Sequence, residues 1–112
     1  MRRTFLLLAL LMLGAGAYHL MALVHPVNAT PAWRHALFAA IDGCMAWGLW
    51  RRPPWFLWVF AILAVQQLMG HGVALLHQLR TGGHIDPIDP AAVLFVLTAL
   101  TLLILDTRRR RN

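Results

Sequence analysis

Apolar residues fill four long stretches of this chain, and polar residues collect at their ends and along one side of the second and third. A helix needs ~20 mostly apolar residues to cross a bilayer. The pattern therefore predicts four spans, at about 5–24, 31–50, 54–80 and 90–106. In the first, Ala15-Gly16-Ala17 also resembles a leader cleavage site. The apolar run nevertheless continues to Val24, so an uncleaved span is expected. Its Gly14, Ala15, Gly16 and Ala17 offer a surface that a neighbouring helix approaches closely.

The breaks carry their own chemistry. His25-Pro26 ends the first helix, because a residue before proline is pushed out of the helical region. The segment from Asn28 to Pro31 restarts it, with Thr30 as the cap and Pro31 in the first helical position. Arg51-Arg52-Pro53-Pro54 is a tight connection. Thr81-Gly82-Gly83 stops the third helix, since glycine readily takes the left-handed cap conformation. Residues 84–90 form the one substantial loop, and its Asp86 and Asp89 read as caps.

The third stretch organises the rest. Successive helical residues step by ~100°. Gln67, His71, Ala74 and Gln78 then form one stripe, with Gln66, Gly70, Val73 and His77 in a second beside it. The far side is apolar. In lipid, amide and ionisable side chains turn toward protein or a wet cavity, so the other helices are expected on the polar side. On the second helix His35, Ala39, Asp42 and Ala46 share a face, and Ala36, Ala40 and Gly43 give a second small surface. The fold expected is a single all-α domain, an integral membrane four-helix bundle.

Composition supports that class. Of 112 residues 60% are hydrophobic and 12% charged, against about 25% charged in a soluble domain. The net charge of +6 does not point to nucleic acid, because all ten basic residues are Arg and eight sit in runs at the ends of apolar stretches. Arg2-Arg3, Arg51-Arg52 and Arg108 to Arg111 fall on one side of a four-span chain, and Arg34 and Arg80 on the other. Arginine marks the cytoplasmic side. Both termini are therefore expected in the cytoplasm of a bacterium, with the chain in its inner membrane. Trp47, Trp50, Trp55 and Trp58 mark the cytoplasmic interface and Trp33 the other. A lone cysteine, Cys44, offers no internal disulfide.

That orientation puts all six histidines in the outer half or outer loops. His19, Asp42 and His71 fall roughly 9 to 15 Å below the outer surface, with Gln67 a turn deeper. His25, His35, His77, His84, Asp86 and Asp89 form a shallower layer. A membrane histidine often does no more than bond a neighbouring helix, worth about 0.6 kcal/mol. The methionines are apolar filler before they are copper ligands. Asp42 is harder to explain so, because a carboxylate near mid-bilayer is costly unless neutral or paired. Its expected partners are His71 or His19, with His35 on its own helix.

His19, His35, Asp42, Gln67, His71 and His77 are thus the candidate cofactor-binding residues. A divalent metal would need three or four converging ligands, yet no HExxH or CxxC motif is present. Haem b would need two facing histidines, such as His19 and His71. A quinone or proton-coupled role would use His71 and Asp42 as proton exchangers. No nucleophile elbow or phosphate loop occurs. The expectation is a small accessory or binding protein and not a self-sufficient enzyme, its partners being the bilayer and other membrane proteins or further copies of itself. The alternative is a haem-, metal- or quinone-binding redox or transport component.

The segments RHALF at 34–38, Ile41-Asp42, RPPWF at 52–56, Gln66-Gln67 and His71-Gly72 resemble those of small four-span bacterial inner-membrane proteins. The resemblance covers the second and third helices. It implies fold and location and carries no assigned activity.

Overall fold

The computed structural model describes residues 1–25 and 30–112, so Pro26 and Asn28 of the expected first break lie outside the described residues. Among those described, the chain is helical with no strand. Its helices are α1 (Arg2–Val24), α2 (Ala32–Arg51), α3 (Phe56–Thr81) and α4 (Ile88–Arg111). They form two units, Met1–Pro53 and Pro54–Asn112, each a helical hairpin. By length and composition α1, α3 and α4 can each cross a membrane. The expected second span, α2, is not among them: its 20 residues suffice in length, but Arg34, His35 and Asp42 lower its hydropathy.

In the first hairpin α1 buries Phe5, Leu8, Ala9, Met12 and Gly16, a stripe at intervals of three and four residues. α2 buries His35, Met45, Ala46, Gly48 and Leu49. The two run antiparallel in close register. The Arg52 guanidinium lies 4.9 Å from the Phe5 ring centre at one end, and His19 meets His35 at 2.9 Å near the other. Between them the helices approach closely at Gly16, where an added Cβ would stand 3.3 Å from Asp42 Cβ and 3.6 Å from the Ala39 carbonyl oxygen. The small surface that receives α1 is thus Ala39 and Asp42. The expected Ala36–Ala40–Gly43 surface does not take this part, and a Cβ on Gly43 would meet nothing within 4 Å.

Both ends of α2 depart from expectation. The helix starts at Ala32 with Pro31 in the cap position, one residue later than the sequence predicts. Pro31 ψ of 141° is extended, and its carbonyl accepts the Arg34 N–H at 3.0 Å. At the other end Arg52 takes a left-handed conformation, φ 49°, alone among the described non-glycine residues. Its N–H closes onto the Gly48 carbonyl at 2.7 Å. Such a conformation costs a side-chain-bearing residue about 1–2 kcal/mol, and the Phe5 contact offsets part of that.

In the second hairpin α3 buries Phe56, Phe60 and Ala64, one per helical turn, and α4 buries Val96, Ala99 and Leu103. The expected third helix is continuous but not uniform. Leu68–Gly72 forms a π-helical turn between α-helical Phe56–Gln67 and Val73–Thr81. Gly70 and Gly72 leave the widened backbone uncrowded, and such turns recur at functional sites. α3 ends as the sequence predicts, with Gly82 at φ 66° and the Gly83 N–H on the Gln78 carbonyl at 3.2 Å. Trp47, Trp50, Trp55, Trp58 and Trp33 are all exposed.

Candidate functional site

His71 sits in the π-turn of α3, seven residues before Gln78, so both side chains lie on one side of the helix. Asp89 lies in the first turn of α4 and is buried. Its carboxylate is taken by both. Oδ1 accepts the Nδ1–H of His71 at 2.7 Å, and Oδ2 accepts the amide N–H of Gln78 at 2.7 Å. The helix N-terminus adds favourable potential for a negative group. Gln78 also accepts the Asp86 backbone N–H at 3.1 Å through Oε1, pinning the loop against α3. Asp86 caps in turn, accepting the Ile88 N–H at 3.0 Å.

This geometry corrects two expectations. Asp89 is no simple cap, since both its oxygens serve side chains of α3. Nor are His71 and Asp89 in separate layers. From His71 to Thr81 is roughly 15 Å of helix, and that length runs on past the start of α4 while the loop returns beside it. His71 is therefore level with the beginning of α4.

In the neutral His71 imidazole with Nδ1–H committed to the carboxylate, Nε2 carries the lone pair. The side chain is 36% exposed, and its Nδ1 contact fixes the ring, so in that form Nε2 is an oriented base or ligand atom. Metal-ligating histidines are commonly oriented by a carboxylate in this way.

The first hairpin assembles a second cluster. His19 Nδ1 lies 2.9 Å from His35 Nδ1, and His19 Nε2 is 4.0 Å from Asp42 Oδ2. Tyr18 packs edge-on to both imidazoles, with ring centres 5.3 and 6.5 Å away. Of the partners expected for Asp42, the one beside it within its hairpin is His19. His71 has Asp89.

The remaining candidates are less engaged. Gln67 donates to Gln66 at 2.8 Å, an exposed pair on neighbouring residues. His77 is exposed, and its backbone carbonyl accepts the Thr81 hydroxyl at 2.9 Å. Among the described residues no three His, Cys, Asp or Glu side chains are grouped to hold a metal ion. Sequence reasoning left Asp89 and Tyr18 out of the site. The signal for Asp89 was present, for Gln78 lies on the His71 stripe and the next carboxylates follow in the adjoining loop.

Compared with protein-family models, with curated proteins and with solved structures, the chain has no match in any of the three.

Proposed function

We propose that this is a small four-span protein of the bacterial inner membrane, both termini cytoplasmic, acting as an accessory or binding protein through a polar site at the outer end of α3 and α4. Three helices support spanning by composition. The fourth crossing rests on register: α2 accompanies α1 from Arg52 beside Phe5 to His35 beside His19. A partner aligned along a spanning helix crosses with it. The eight-to-two arginine division then favours cytoplasmic termini.

The observation that carries the binding role is the Asp89 carboxylate held by His71 and Gln78, which fixes the half-exposed His71 ring with Nδ1 engaged and Nε2 left for a ligand. The test is the intact mass of the protein released gently from membranes, for wild type and His71→Ala. A bound molecule or partner chain in the first and not the second is expected. Bare polypeptide in both contradicts the reading.

A second reading, a redox or transport component, draws on the same carboxylate-oriented histidine. It requires a Soret band for haem, or stoichiometric metal on elemental analysis, lost in His71→Ala.

A further inference from the structure

The α1–α2 hairpin contains a polar cluster that the proposed binding role does not use. A contact between two Nδ1 atoms holds a single proton, so of His19 and His35 one ring donates and the other accepts. With His35 donating, neutral His19 carries its own proton on Nε2, the nitrogen beside Asp42. Asp42 Oδ2 is buried and, among the described residues, has no hydrogen-bond partner. Around His19 this hairpin places His35, Asp42, Tyr18 and Phe38. Gly16 brings α1 against Asp42 and leaves no room there for a larger group. A buried carboxylate oxygen without a donor is far less costly neutral than charged. A proton satisfies it and needs no added space.

We infer that Asp42 is a proton-binding site of this hairpin, charged and discharged through His19, with His35 as a positioning residue that sets the His19 ring. A proton from water joins the His19–His35 pair. Asp42 turns to close the 4.0 Å gap to the ~3 Å that proton transfer requires. The Nε2–H bond of His19 breaks, an O–H bond forms on Oδ2, and the imidazole pair returns to neutral. Discharge is the reverse. His19, with 22% of its side chain exposed against 14% for Asp42, is the member in better contact with water.

The test follows the carboxylic C=O band by infrared difference spectroscopy across a rapid pH drop, with the full chain in lipid vesicles. Wild type gains a component of the band that Asp42→Asn lacks, while the other carboxylates contribute equally to both. In His19→Ala that component forms roughly a hundredfold more slowly, and added imidazole restores the rate. A band unchanged in Asp42→Asn overturns the assignment of the site. A wild-type rate in His19→Ala, or a slowed rate that imidazole leaves slow, overturns the role of His19. Should His19→Ala fail to fold, His19→Gln keeps the size and one hydrogen bond and is read for the same slowed rate.

Discussion

His71 and Asp89 stand eighteen residues apart in the chain, and their side chains meet at 2.7 Å because α3 runs on past the start of α4. That contact joins the π-turn of one helix to the first turn of the next. It depends on Gln78, which holds the other carboxylate oxygen and the returning loop together.

Removing the carboxylate strands two donors. Asp89→Ala is expected to lower stability in detergent by about 1.5–3 kcal/mol, the range for hydrogen bonds to a charged group. Asp89→Asn loses less, since its amide oxygen still accepts one of the two. Combined with His71→Ala, the loss falls short of the sum of the singles, as for residues in one network. Thermal unfolding of the wild type and these four variants checks this.

Gly16 and Gly14 separate close approach from mere smallness. At Gly16 a Cβ would meet Asp42 Cβ at 3.3 Å, while at Gly14 it would meet nothing within 4 Å. Gly16→Val is expected to cost about 1–3 kcal/mol through overpacking. Gly14→Ala is neutral or stabilising by up to about 1 kcal/mol through helix propensity. Equal effects in a melting comparison contradict the register given for α1 and α2.

The left-handed Arg52 and the Phe5 ring close the far end of that hairpin. Arg52→Gly relaxes the backbone but gives up the cation–π contact. In a double-mutant cycle with Phe5→Leu the coupling is expected at about 0.5–2 kcal/mol. A coupling of zero shows that the ring and guanidinium do not meet.

The helices were legible because lipid-length apolar runs and their breakers are local signals. Observed Arg2–Val24 and Ile88–Arg111 extend the expected 5–24 and 90–106 outward at their polar ends, since arginines are good helix formers once out of the hydrocarbon. The site was half legible. Spacing put His71 and Gln78 on one stripe, but nothing local tells that α3 overruns α4, so Asp89 read as a cap. The π-turn was hidden for a related reason. Glycines permit it, while the choice of an extra residue per turn depends on packing against α4. The start of α2 came out one residue late because Pro31 is extended, with ψ 141°, and so precedes the first helical residue.

The central claim, four crossings with the His71–Asp89 site on the outer side, is tested most directly by topology. A reporter active only in the cytoplasm is fused after Thr30, after Pro53, within residues 84–89, and after Asn112. Signal at Pro53 and Asn112 and none at Thr30 or within 84–89 is the predicted result. The same reading at Thr30 and Pro53 contradicts it, for α2 would then not cross the membrane, and signal within 84–89 contradicts it by placing the site in the cytoplasm.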